Sequence, residues 1–242
     1  HQLHRRQRQM CIRDRCNIDR KTMDAFAARS QQRAAEAWAN GWFDWETFPV
    51  AIPQRRGADL VLTTDEGVRG ETTAESLAGL RPVFDREGTV TAGNASTLND
   101  GASAVLVAEA EFAKAQGWDI IATIVDYCTS GVEPARVMSA PIPAVKSLLE
   151  RNNLGVLDVD VYEHNEAFAS ASCAVAQEVG IPEDRFNLHG GAVSMGHPLG
   201  ASGTRCLITM LGVMRRLEAN SGIVTLCLGG GNAVAMYVRR EL

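Results

Sequence analysis

The spacing of apolar positions changes character near residue 103 of this 242-residue chain. Before that point, Met23, Phe26, Ala27, Ala34 and Trp38 recur at helical spacing. This predicts a helix from an Asp19 N-cap through Asn40, stopped by Gly41. Residues 41–81 are polar and broken by Pro49, Pro53, Gly57, Gly67 and Gly70, which predicts an irregular loop region. Residues 82–101 are rich in Gly, Thr and Asn and carry no strong period. From residue 103, short apolar runs alternate with helical patterns. Strands are predicted at 103–108, 120–127, 159–163, 223–228 and 233–238, the last two joined by a Gly-rich turn. Helices are predicted at 109–116, 141–152, 166–179 (following directly on its strand) and 199–219. Apolar strands buried on both faces, with helices between them, predict an α/β layered sheet.

Composition changes this picture little. The chain is 45% hydrophobic and 22% charged, ordinary for a soluble globular protein. No apolar run reaches the length of a membrane span, and no charged-then-apolar leader opens the sequence. Six cysteines form no CxxC pair or metal-type spacing, so reduced thiols in a cytoplasmic compartment are expected. The net charge of -5 argues against nucleic-acid binding. Residues 1–16 differ from the rest: five arginines against one aspartate give +4, leaving -9 for the remainder. Gln9 to Arg15 resembles translated adapter DNA, and residues 1–16 are expected to be non-native rather than an anion-binding arm.

Candidate chemistry lies in two glycine-framed blocks. His197 sits within Gly190–Gly203 and precedes Pro198, which pushes it out of helical backbone. Pro198 suits the first turn of the next helix. The imidazole is therefore expected at a helix N-terminus, where the dipole lowers its pKa. A neutral imidazole there takes a thiol proton or donates to an oxyanion; the bland alternative is a capping or packing histidine. Cys227 ends an apolar strand and meets Gly229-Gly230-Gly231. It reads as a group poised beside backbone donors or as a buried structural cysteine. Asn165, in Asn165-Glu166-Ala167-Phe168-Ala169, either caps the following helix or holds a water that donates to a substrate carbonyl. Strand alternation points His164 away from it. Residues 91–96 form a small-residue loop: a plain turn, or a wall for a thin ligand such as pantetheine.

These blocks together, with Arg29–Ala34, Arg81–Phe84, residues 91–102 and Glu133-Pro134-Ala135, resemble the thiolases, including acetyl-CoA acetyltransferase-like members, from about Asn17 to Leu242. The resemblance implies a thiolase-like α/β/α/β/α layered fold. It also implies reversible Claisen condensation and thiolytic cleavage between acetyl-CoA and acetoacetyl-CoA. His197 matches the residue that activates the nucleophile and helps form an oxyanion hole. Asn165 matches the residue holding the water of that hole. Cys227 matches the acid/base for acetyl-CoA C2, and the Gly229 N–H matches a donor of a second oxyanion hole. Arg69, Ser76, Leu80, Ala92, Gly93 and Ser96 match residues along the coenzyme A path; Met138 and Phe168 match residues near the acyl group. Coenzyme A thioesters are substrates, and no metal or redox cofactor is implied. The expected partners are acyl-CoA molecules, with no nucleic acid or membrane and a homodimeric or homotetrameric parent.

The family's acyl-carrying cysteine block is missing from the sequence. The resemblance then implies the end of a loop domain at 17–98, the last strand and helix of an N-terminal domain at 99–117, and a C-terminal domain at 118–242. The N-terminal half is expected to lie outside the chain, leaving it inactive and poorly soluble alone, with an unpaired strand edge near 103–108. Two other readings are a 3-ketoacyl-CoA thiolase of fatty-acid β-oxidation and a non-catalytic thiolase-like protein binding coenzyme A or lipid. A β-ketoacyl synthase fits less well, because two histidines are expected where this chain has Asn165 and His197.

Overall fold

The computed structural model describes residues 16–240. Residues 1–15 of the proposed non-native segment, Cys11 included, lie outside them.

Helix α1 (Arg20–Ala39) forms where apolar spacing placed it, with the Asp19 carboxylate accepting from the Thr22 N–H at 2.7 Å. Gly41, at φ 68°, turns the chain away. The stretch read as irregular also holds a hairpin, β1 (Val50–Ile52) with β2 (Leu60–Leu62), and a one-turn helix, α2 (Ala74–Ala78). Both are too short to leave a period in the sequence.

Beyond residue 109 the order is α3 (Ala110–Ala115), β3 (Thr123–Gly131), α4 (Pro141–Arg151), β4 (Val161–His164), α5 (Ala169–Val179), α6 (Ala192–Met195), α7 (Ser202–Arg216), β5 (Ser221–Leu228) and β6 (Asn232–Arg239). The sheet runs β3-β6-β5-β4, with β4 parallel to β5 and the other pairs antiparallel. Strands β4 and β5 are covered on both faces, as their apolar runs required, whereas Val125 and Tyr127 of edge strand β3 are exposed. Ile223, Ala235 and Tyr237 face a core shared with α1, α4 and α5, while Val224, Leu226 and Val238 face Cys206, Met210, Val213 and Met214 of α7.

Several boundaries correct the sequence reading. Residues 103–108 form no strand, and Val105, Leu106 and Val107 are exposed. No described strand lies beside them to complete a ladder. Strand β3 starts at Thr123 rather than 120 because its partner ends there: Thr123 pairs with Arg239, the last residue of β6. Strand β4 lies two residues later than expected at its start, held by the register Val161↔Gly222 to His164↔Thr225. Helix α5 begins at Ala169, so four residues separate it from β4. Helix α7 begins at Ser202, after a turn closed by Ala201 N–H donating to the Pro198 carbonyl at 2.9 Å. Among the described residues, no helix is long and apolar enough to cross a membrane.

The core holds neutral imidazoles. His164 is fully buried, its Nδ1 2.9 Å from the Ser172 hydroxyl and its ring stacked on Phe186. Burial pushes it down to about 3, and His189 likewise, the latter helped by Arg216. A depressed histidine pKa means that below about 6.5 the unfolded chain binds a proton the folded chain refuses, so stability is lost as pH is lowered. Glu46 and Glu163, raised by burial to about 7 and about 8, work in the opposite sense. The histidine contribution is therefore read as a difference. Urea melts of the chain and of His164→Phe should shift in favour of the variant by up to about 1.4 kcal/mol per pH unit below about 6.5. Identical pH dependence in the two proteins would count against a buried neutral His164.

Candidate active site

The site forms where the parallel strands β4 and β5 end together. His164↔Thr225 is their last pair, and the Asn165 N–H reaches one step further to the Thr225 carbonyl at 3.1 Å. Asn165 leaves the sheet there, and Cys227 stands two residues past Thr225 on the neighbouring strand. Asn165 does not cap α5; Phe168 occupies the N-cap position. Its buried amide instead sits with Nδ2 3.3 Å from His197 Nε2.

His197 arrives by a glycine-dependent path. A Cβ on Gly190 (φ 75°) would lie 2.5 Å from the Ser30 carbonyl oxygen of α1, and one on Gly191 would collide with the Glu166 carboxylate. Gly196, at φ 92°, then turns the chain, and the His197 N–H donates to the Thr97 carbonyl at 3.0 Å. The ring's Nδ1 lies 2.6 Å from the Ser202 hydroxyl. Ser202 is the first residue of α7, so the ring sits against the start of that helix although His197 precedes it by five residues in sequence. Its pKa is lowered as expected, but the causes are burial first and the Arg205 charge second.

Cys227 is half-buried, its Sγ 3.8 Å from Met138 Sδ, and burial raises its pKa. Gly229 follows on the turn Gly229–Gly231, in which Gly229 and Gly230 are exposed and Gly231 is buried. Met138 and Phe168 both pack on the α1/α4/α5 core, with the Phe168 ring against Phe84.

Residues 91–96 are stitched to the Asn165–Phe168 turn rather than standing free. The Ser96 N–H and hydroxyl both donate to the Ala167 carbonyl, at 3.2 and 3.0 Å, and the Ala169 N–H donates to the Asn94 carbonyl. Gly93 lies so close to Leu77 and Leu80 that a Cβ would come within 2.7 Å of both. Ala92, Leu80, Ser76 and Arg69 are exposed. The Ser76 hydroxyl lies in the capping box of α2, and the Arg69 backbone N–H is held by Gln31. The fold thus brings Asn165 and His197 into contact, with Cys227 on the adjoining strand end, Met138 reaching Cys227 from the turn Pro134–Ser139, and Leu80 against Gly93 of the loop that also carries Ser96. The Arg69 N–H bonds to Gln31, and Ser76 bonds to Thr73.

Sequence reasoning missed the supports. Glu166, fully buried, accepts from the Ser30 hydroxyl at 2.6 Å, Asn187 Nδ2 at 2.8 Å and the Val193 N–H at 3.1 Å. Burial raises its pKa, with these donors pulling against the rise. Arg205 pairs with buried Glu163 at 3.2 Å and reaches Cys206 Sγ at 2.9 Å. Cys206 Sγ lies 3.9 Å from Asn165 Oδ1. Only Ser202 and Glu166 had a signal in the sequence, being near His197 and beside Asn165.

Residues 118–240 match the family model for the thiolase C-terminal domain, and residues 9–111 match that for the thiolase N-terminal domain. The chain is 45% identical over 230 residues to an acetyl-CoA acetyltransferase of Pseudomonas aeruginosa, covering 95% of this chain and 58% of that protein. It is 48% identical over 221 residues to an acetyl-CoA acetyltransferase of Thiocystis violacea, covering 91% and 56%. Among solved structures it superimposes on a Bacillus anthracis acetyl-CoA acetyltransferase with TM-score 0.93 and 37% identity, covering 96% of this chain and 59% of that one. Human mitochondrial 3-ketoacyl-CoA thiolase gives TM-score 0.92 and 35% identity, covering 97% and 59%. The chain therefore spans somewhat over half the length of these relatives.

Proposed function

The chain belongs to the thiolase family, and from that premise we propose that it forms part of an acetyl-CoA C-acetyltransferase. The reaction is reversible Claisen condensation and thiolysis between acetyl-CoA and acetoacetyl-CoA. The observation that carries this reading is the Asn165–His197 contact at the sheet edge where the Cys227 strand also ends. A neutral imidazole takes the proton of an acyl-accepting thiol and helps form an oxyanion hole, whose water the Asn165 amide holds. Cys227 exchanges a proton with acetyl-CoA C2, beside the Gly229 N–H. Coenzyme A runs along Arg69, Ser76, Leu80, Ala92, Gly93 and Ser96, with Met138 and Phe168 bordering the acyl group. Relatives at 45% and 48% identity bear acetyl-CoA acetyltransferase names and others at 45% and 46% probable acetyl-CoA acyltransferase names, which supports acyl transfer involving acetyl-CoA. A 3-ketoacyl-CoA thiolase of longer substrates is the second reading. Unbridged cysteines among the described residues are in keeping with a cytoplasmic location, and a homo-oligomeric parent is proposed by family likeness.

The acyl-accepting thiol is proposed to lie outside this chain. Cys128 donates to the Ala144 carbonyl beneath α4. Burial pushes Cys173 and Cys206 up to about 12, which leaves almost no thiolate. The Cys16 carbonyl is tied to Gln177, at the far end of α5 from Phe168. The 242-residue chain alone should therefore thiolyse acetoacetyl-CoA no faster than buffer. Saturating acetyl-CoA should slow alkylation of Cys227, followed by peptide mass spectrometry, while Cys16 reacts at an unchanged rate. Turnover by the chain that disappears in Cys227→Ser would overturn the missing-thiol reading. Unaltered Cys227 alkylation would overturn the acyl-CoA pocket. Protection by coenzyme A with no catalysis in the longer protein would favour a binding module instead.

A further inference from the structure

The hydrogen bonds through His197 form a line with a direction. It runs Arg205–Cys206–Asn165–His197–Ser202–Pro198, with contacts of 2.9, 3.9, 3.3, 2.6 and 2.9 Å. Its two ends have fixed polarity. Arg205 is a guanidinium and only donates, so it occupies a sulfur lone pair of Cys206 and leaves the S–H to donate onward to Asn165 Oδ1. The Pro198 carbonyl only accepts, so the Ser202 hydroxyl donates to it and its oxygen is left to accept from the imidazole. The Pro198 carbonyl also accepts from the Ala201 and Ser202 N–H groups, but one arrangement places a hydrogen in every contact of the line: Asn165 Nδ2–H donates to His197 Nε2, and His197 Nδ1–H donates to Ser202. The reversed arrangement leaves the Pro198 contact without a hydrogen and sets two donors, Arg205 and the Asn165 amide, on one thiol sulfur.

We propose that Ser202 and Cys206 are positioning residues that hold neutral His197 as the Nδ1–H tautomer, with the Nε2 lone pair accepting from the Asn165 amide until a thiol proton displaces it. This rests on the acyl-transfer reading and deepens it. His197 then starts as a base and cannot be an oxyanion donor until it is protonated. When an acyl-accepting thiol gives its proton to Nε2, a thiolate and an imidazolium result. Nε2–H and Asn165 Nδ2–H are then both donors, so their mutual hydrogen bond is lost. Both are released toward an oxygen that gains charge, His197 directly and Asn165 through the water it holds. The contact that sets the base thus becomes a pair of oxyanion donors by the proton transfer itself.

The test uses the full 242-residue chain labelled with 15N-histidine, at a pH where His197 is neutral. Long-range proton–nitrogen spectra separate pyrrole-type from pyridine-type ring nitrogens, and His197→Gln identifies the His197 signals by their loss. The expected result is a pyrrole-type Nδ1 and a pyridine-type Nε2. Ser202→Ala should move the tautomer ratio toward Nε2–H by about tenfold, the worth of one hydrogen bond. Ser202→Thr, which keeps the hydroxyl, should restore the ratio, and Cys206→Val should move it part of the way. A pyrrole-type Nε2 in the unaltered chain overturns the proposal without recourse to any variant, so a variant that fails to fold does not protect it. An unchanged ratio in folded Ser202→Ala overturns it as well. Acyl-CoA plays no part in these spectra, so a failed Cys227 protection experiment leaves this result standing on its own.

Discussion

Glu166→Ala should destabilise the chain by about 3–5 kcal/mol, enough to unfold many domains at room temperature. The carboxylate is fully buried and accepts three hydrogen bonds, from α1, from the Asn187 turn and from α6. Truncation strands the Ser30 hydroxyl, the Asn187 amide and the Val193 N–H together, and each stranded donor costs about 1–3 kcal/mol before relaxation. The damage spreads, because the same Asn187 side chain accepts from the His164 N–H at 2.7 Å and donates to its carbonyl at 2.9 Å. Glu166→Gln should cost less, about 1–3 kcal/mol. One amide oxygen still serves Ser30 and Val193, but the amide nitrogen now faces the Asn187 donor. Urea midpoints ordered wild type, Gln, Ala would agree with this. A Gln variant as weak as the Ala variant would show that charge, not donor satisfaction, is what Glu166 supplies.

In an active acyltransferase containing these residues, His197→Ala and Cys227→Ala should each lower kcat by about 10²–10⁴. They should fail at different stages. Without the His197 base, acyl transfer from labelled acetyl-CoA to protein should be slow, and little acyl-enzyme should accumulate. Without Cys227, acylation should proceed and then stall, because the C2 proton has no acceptor. A single-turnover experiment with labelled acetyl-CoA separates the two: a burst of protein-bound label in Cys227→Ala, none in His197→Ala. Equal bursts in both variants would contradict the division of roles. Because the groups serve successive steps, the double variant should be little worse than the slower single one.

The distance over which each feature is encoded explains how much of it could be read. Helix α1 was legible because a cap, a period and a stop lie within about 20 residues of each other. The α4 boundaries followed from Pro141 and Asn152 in the same way. His197 and Cys227 stood out because glycine on both sides of a reactive side chain is a local mark. Residues 103–108 were misread for the opposite reason. Their apolar content is local, but a strand exists only if another strand supplies its partners. Asn165 shows both sides: the residue type fits a helix cap, and the amide went to His197, 32 residues on, because α5 starts too late to use it.

The sequence alone therefore determined the alternation of helices and strands, the layered α/β class and which side chains are candidates for the chemistry. Tertiary structure alone decided the partners. It set Ser30 against Glu166 across 136 residues, gave His197 its Ser202 and Asn165 contacts, and left residues 103–108 without a ladder. The physical reason is that periodicity and capping are short-range properties of the backbone. A buried hydrogen bond, by contrast, is satisfied by whichever distant segment packing delivers.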